Sequence, residues 1–358
     1  MRKSGLLFTL LCGVMLTIVT NSCSDDNSGS GEWNEGANVE LPSYRGFVLS
    51  EGAFGKNNSH LFYFDPAQDT IYTKDIYETQ NGRKLGDTAN DMLVCDGDIY
   101  IIVNVSKLLL RLNGSGVEQV RYTNFDELGE PRSMVEEDGK LYVTCYGGYV
   151  ARFDTKTLTL EAKVKVDANP EQIVESDNKL YCVNSGFGLG NTMSVIDIEN
   201  FNKSESVEIV TNPFGIQETD GAIFIMAYDE YYNTYISRYN SKSGKCEKIA
   251  DGTKMYADDG KLYIANATTS DWVNYTTEYS IYDVKTGTTS KWNLKNAPSE
   301  MFTSVAYMIE KNPYDNSVYI SLTDYVSNGK VYHFDSSDKY VGNFSAGGIN
   351  PNSIAFIR

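Results

Sequence analysis

The pentapeptide DGKLY stands at 138–142 and again at 259–263. Four variants lie between and around these copies: DGDIY (96–100), DNKLY (177–181), DGAIF (220–224) and DNSVY (315–319). Measured from aromatic to aromatic, the steps are 42, 39, 43, 39 and 56 residues. A period near forty with strand-like flanks is the mark of a repeat architecture. Asx-Gly between alternating hydrophobics marks a tight hairpin, so each copy joins two strands.

A second repeated segment completes the count. It reads HLFYFDP, KLLLRLN, YVARFDT, MSVIDIE, YISRYNS, YSIYDVK and KVYHFDS. These seven copies supply the third strand of seven units. The partner of the first is RGFVLSE (45–51), which has no strand ahead of it. The missing strand is NPNSIAFIR (350–358), at the other end of the chain. A ring of blades leaves no free edge when its last segment zips to its first. The expected fold is all-β: a seven-bladed β-propeller of four-stranded blades over residues 43–358.

The repeat also separates scaffold from function. Tyr100, Tyr142, Tyr181, Phe224, Tyr263 and Tyr319 recur at one position, as packing residues require. Asp65, Asp154, Asp283 and Asp335 recur at third-strand ends, where Asx turns form.

The first 22 residues read as an address. Arg2 and Lys3 precede the apolar run GLLFTLLCGVMLTIV (5–19), which is short for a membrane span. Ser22 directly before Cys23 resembles a lipobox, so cleavage and acylation are expected at Cys23. Residues 23–42 would form the tether. The acidic CSDD resembles a surface-export signal, which implies an outer-membrane lipoprotein facing the cell exterior.

Net charge is −17, and it becomes −19 without residues 1–22, which carry two basic and no acidic side chains. Such a chain repels nucleic acid. Past the tether, Cys95, Cys145, Cys182 and Cys246 match no zinc spacing. They read as small buried hydrophobes, with one disulfide left open.

In a four-stranded blade, one rim carries the first-to-second and third-to-fourth turns. The other carries the second-to-third and inter-blade loops. Here the first rim is plain and the second irregular, with long segments such as EGAFGKNNS (51–59), ETQNGRKLGDTAN (78–90) and NATTSDWVNYTTEY (266–279). Loops that break a repeat are where a rigid scaffold carries function. The aromatic candidates for ligand contact are Phe54, Phe125, Tyr146, Phe187 and Tyr228, followed by Tyr231, Tyr232, Trp272, Tyr275 and Tyr325. Asn57, Arg83 and Lys84 are their polar companions. Exposed aromatics beside adaptable polar groups suit a bulky, partly flat ligand.

Signals for catalysis are sparse. His60 and His333 both fall inside third strands. No Ser/His/Asp or Cys/His arrangement appears. Rim carboxylates (Glu51, Asp87, Asp126, Glu130, Asp229, Glu230, Asp271, Asp324) are candidates for an acid/base pair or a calcium site, against the plainer reading of a solvated acidic face. No cofactor or metal is expected, and no enzyme.

The segments SEGAFGKNNSHLFYFDP, NGRKLGDTANDMLVCDGDIYIIVNVS and GKVYHFDSSDKYVGNFSAGGINPNSIAF resemble Bacteroidetes surface lipoproteins with YncE/YVTN-like propellers. Within that group the chain is similar to the BtuG-type, cobalamin-capturing proteins. The resemblance implies capture of a large scarce nutrient, a corrinoid first, and handover to a TonB-dependent outer-membrane transporter. A siderophore, haem, a glycan or a protein-interaction role are the alternatives.

Overall fold

The computed structural model describes residues 32–358. The expected signal segment and Cys23 lie outside the described residues. Trp33–Arg358 forms one compact unit.

Seven antiparallel sheets of four strands make the ring. Blade 1 pairs the C-terminal strand Pro351–Ile357 with Arg45–Ser50, followed by His60–Asp65 and the two-residue Thr70–Ile71. The innermost strands of blades 2 to 7 are Ala89–Cys95, Pro131–Glu137, Pro170–Ser176, Pro213–Thr219, Lys254–Asp258 and Val305–Lys311. Three further strands follow each one outward in sequence order. The expected closure is present, with Arg45 opposite Ile357 and Leu49 opposite Ser353.

The hairpin motif works through backbone sign. Asp138 and Gly139 have φ of 49° and 72°, and Asp259 and Gly260 have 46° and 67°. Two successive positive φ values give the primed turn that matches strand twist. Glycine takes the second position without a Cβ penalty.

Strand alternation then builds the core. On the second strand of blade 2, Ile99, Ile101 and Val103 face blade 1, while Tyr100 and Ile102 face blade 3. Each blade thus feeds two seams, and the seven apolar clusters are the seven seams. The recurring aromatics are buried in them. The recurring aspartates cap turns as expected: Asp154 accepts from the Thr157 amide at 3.0 Å and Asp283 from the Thr286 amide at 2.7 Å. Cys145, Cys182 and Cys246 are free thiols, so no two of the four cysteines past the tether are joined by a disulfide.

Two local features depart from the repeat. Ile76–Asn81 is a short helix inside what the sequence reading treats partly as loop. Asp75 caps it by accepting from the Glu78 amide at 2.8 Å, and Gly82 ends it at φ 65°. Residues 33–42, assigned to the tether, are fastened to the propeller. Gln80 accepts from the Asn38 and Val39 amides at 2.8 and 3.0 Å, and the Arg45 guanidinium lies 5.1 Å from the Trp33 ring. Trp33 sits against Gly114, in a third-to-fourth turn, so the chain joins the propeller at its plain rim.

Candidate functional site

The innermost strands surround a cavity of about 1440 Å³ on the ring axis. All seven contribute to its lining. Six of them break register near their start, so that one or two residues are skipped by the neighbouring strand. The skipped residues include Asn90, Arg132, Gln172, Phe214, Tyr307 and Asn352, and every one lines the cavity. A bulge re-aims a side chain, and here it aims one at the axis from each of those six blades. Blade 6 has no bulge and presents Lys254 from a regular position.

Much of this lining ties blade to blade. Asp91 Oδ2 accepts from the Met134 amide at 2.8 Å and from Ser133 Oγ at 2.9 Å. Gln172 accepts from the Ile216 amide at 3.1 Å, and Gln217 from the Ala257 amide at 3.3 Å. Asn352 donates to the Ala89 carbonyl at 2.8 Å. Arg132 Nε binds Glu171 at 2.8 Å, and Glu171 also accepts from Tyr146 at 3.1 Å and Ser185 at 2.8 Å. Glu51 accepts from Asn90 and from the Tyr307 hydroxyl.

The surroundings move these charges. Burial pushes the Asp91 carboxyl up despite its donors. Burial also raises Glu310 and lowers Lys254. For Arg132 burial is the largest influence and pulls downward, and Glu171 together with Tyr146 and Glu51 outweighs it, leaving a guanidinium held firmly in its charged form.

The cavity opens on the irregular rim, and its mouth is lopsided. Tyr228, Tyr231 and Tyr232 stand on blade 5, Trp272 and Tyr275 on blade 6, and Tyr325 on blade 7. Three loops hold these rings by one device. Asp229 accepts from the Tyr231 and Asn233 amides, both at 2.8 Å. Asp271 accepts from the Val273 and Asn274 amides at 2.9 and 2.7 Å. Asp324 accepts from the Val326 and Ser327 amides at 2.9 and 2.7 Å. These bonds hold the three carboxyls below the usual carboxylate range, with the Asn233 side chain, the Asn274 amide and the Ser327 hydroxyl as the largest causes. Each carboxylate is committed to its own loop.

In the same loops Tyr232, Trp272 and Tyr325 have φ of 62°, 61° and 64°. Non-glycine residues rarely adopt this left-handed conformation, and such strain gathers at functional positions. Tyr228 is fixed by stacking on Phe214 at 4.5 Å, and Tyr325 meets Tyr307 edge-on at 6.0 Å.

The remaining sequence candidates lie elsewhere. Phe125 is fully buried and packs edge-on against Tyr122 at 5.0 Å, so its ring is core and cannot touch a ligand. Arg83 points to Glu118 at 2.5 Å on the outer strand of blade 2, and Lys84 is exposed; neither lines the cavity. Phe54 and Asn57 ride on the blade 1 loop, whose Gly55 and Asn57 amides are both held by Asp87 at 3.1 Å. Phe187 crosses Tyr146 at 5.6 Å beside blade 4, outside the cavity lining. His60 and His333 bond Asp75 and Asp69 at 2.8 and 2.7 Å, away from the cavity. No group of metal-ligating side chains occurs among the described residues.

Arg132, Lys254, Tyr307 and Glu310 are the lining residues that loop-centred reading passes over. Their signal is a charge or polar ring on an innermost strand, the one strand of each blade that faces the axis.

No family model matches the chain, and no curated protein matches it. Solved structures do. One is a Bacteroides fragilis protein to which 6-phosphogluconolactonase activity has been ascribed, at 12% identity and TM-score 0.59 over 88% of this chain and 98% of that one. Another is the Neurospora crassa Pan2 WD40 domain, at 9% identity and TM-score 0.56 over 76% and 81%. A streptogramin B lyase aligns at 16% identity and TM-score 0.50 over 80% and 93%. At such identities the likeness shows the propeller fold alone.

Proposed function

We propose that the protein captures a large, partly flat ligand at the irregular mouth of its propeller, a corrinoid being the first choice. The observation that carries this reading is the axial cavity walled on blades 5, 6 and 7 by six of the expected aromatics. Its volume exceeds the roughly 300–1,000 Å³ of pockets for drug-sized molecules. The rings stand on short, internally bonded loops, so little ordering is left to oppose binding.

In this reading the chain is a lipoprotein acylated at Cys23 and held at the outer membrane. The described chain joins the propeller at the plain rim, so Trp33 lies at the far end from the mouth. That placement supports presentation of the ligand away from the anchor. Exposed Phe54, Phe187 and Leu189 stand on the mouth rim yet outside the cavity lining. They favour a protein partner on the same rim, and in this reading that partner is a TonB-dependent transporter receiving the cargo.

Calorimetric titration of residues 33–358 with cyanocobalamin, haem and a ferric siderophore tests the reading. One-to-one cyanocobalamin binding is expected, weakened about tenfold or more by Tyr231→Ala or Trp272→Ala, as for buried aromatic anchors. Absence of binding to cyanocobalamin removes the corrinoid. Absence of binding to all three removes capture of such ligands.

A further inference from the structure

Lys254 and Glu310 stand apart from the other charges of the axial cavity. Asp91 has its donors, Arg132 has Glu171, and Glu51 has Asn90 and Tyr307. Among the described residues, the Lys254 and Glu310 side chains make neither a hydrogen bond nor an ion pair within 4 Å. Both line the cavity and are half-buried. They belong to the innermost strands of neighbouring blades 6 and 7. Glu310 exerts the strongest charge effect on Lys254, so the two share one space without touching. Charges that face a cavity ordinarily have a protein partner, as the others here do, and these two half-buried ones keep their bonding positions open to a third group.

The chemistry of that group follows from elimination. An apolar arm would displace solvent from both charges and offer neither a bond in return. An anion would satisfy Lys254 and meet repulsion from Glu310, while Arg132, Asp91 and Glu51, which also face this space, are committed to their own partners. A cation would satisfy Glu310 and meet repulsion from Lys254. A group with an acceptor and a donor side by side satisfies both and adds no net charge. We propose that the axial channel is a recognition subsite for a primary carboxamide arm, its carbonyl oxygen accepting from Lys254 and its –NH₂ donating to Glu310. Because an amide both donates and accepts, it also matches the pair when burial drives Glu310 toward its protonated and Lys254 toward its neutral form.

This inference rests on the capture reading, with the aromatic mouth holding the ligand body and the channel reading one of its arms. The test keeps the two separable. Propionamide, propionate and propylammonium are each titrated into isotope-labelled residues 33–358, following the Lys254 side-chain nitrogen and the Glu310 carboxyl carbon by NMR. Propionamide is expected to move both signals with a single Kd. Lys254→Met and Glu310→Gln, each checked for an unchanged cooperative melt, should weaken it about tenfold, as for a lost hydrogen bond to a charged group. A response to only one of the ions, or to none of the probes, overturns the subsite.

Cyanocobalamin, whose periphery carries primary amides, is then titrated into the same variants. Binding that Trp272→Ala weakens and the two channel variants leave untouched also overturns the subsite, while the mouth reading stands. Propionamide seated on Lys254 and Glu310, with cyanocobalamin, haem and siderophore all silent, supports the subsite and removes the capture reading.

Discussion

At the scale of single residues, Trp272 and Trp292 separate function from stability. Trp292 is 2% exposed and sits between Tyr263 and Tyr279 at 4.9 and 6.1 Å, in the seam of blades 6 and 7. Trp272 is 77% exposed, at a left-handed φ on the loop held by Asp271. Folding gains little from such a ring, and the backbone beneath it is strained. Replacing it with glycine relieves a left-handed cost of about 1–2 kcal/mol and returns up to about 1 kcal/mol through the freer unfolded chain. Trp272→Gly should therefore leave stability within about 1 kcal/mol of the parent while ligand binding at the mouth is lost. Trp292→Ala should cost about 3–5 kcal/mol. Urea melts of both variants beside a binding titration check the contrast. A strongly destabilised Trp272→Gly would make that ring part of the scaffold.

At the scale of elements, the closing strand Pro351–Ile357 carries the most risk. It is the only inner strand that arrives from the far end of the chain. Phe356 is buried there against Phe64 and Tyr319, at 5.8 and 5.1 Å between ring centres. Phe356→Ala should lower the unfolding free energy by about 3–5 kcal/mol. Val341→Ala, half exposed on the outer strand of blade 7, should stay within about 0.5 kcal/mol. Chemical denaturation compares the two, and equal losses would contradict a closure concentrated at the axis. This level of the molecule was the most legible in the sequence. Asx-Gly turns and alternating strands are local signals, and the count of third strands exposed the swapped closing strand. The helix Ile76–Asn81 had its own signal, Asp75 ahead of Glu78 and Gly82 behind, hidden because it interrupts a repeat. The site was legible in part for a physical reason. Loop aromatics advertise themselves by type, and six of them do line the cavity. Whether an aromatic in a loop folds inward, as Phe125 does, depends on neighbours from another blade. The channel residues were hidden more deeply, since bulges turn Arg132 and Tyr307 to the axis while Lys254 and Glu310 reach it from regular strand positions.

At the scale of the whole molecule, the axial cavity makes stability depend on pH in a direction opposite to the surface. Asp154, Asp229, Asp283 and Asp335 are held below the usual carboxylate range by hydrogen bonds, and their contribution is lost in acid. Glu310 behaves inversely. Burial raises its pKa in the folded state, only partly offset by Lys254, so the folded chain keeps a proton that the unfolded chain releases near pH 4. Its favourable contribution is complete below that point and declines as pH rises through its raised value. Lys254, lowered by burial, binds fewer protons folded than unfolded, so stability recovers between its lowered pKa and the usual lysine range near 10. Glu310→Gln keeps the shape and removes the titration. The variant should be no more stable than the parent at pH 5 and measurably more stable at pH 8. Lys254→Met, which strips Glu310 of its nearest favourable charge, should steepen the parent's decline between those values. Thermal melts of the three proteins at both pH values read the effect directly. A Glu310→Gln variant that tracks the parent at pH 5 and pH 8 alike would mean that Glu310 titrates as an ordinary solvated carboxylate, and the open charge pair on the axis would lose its energetic basis.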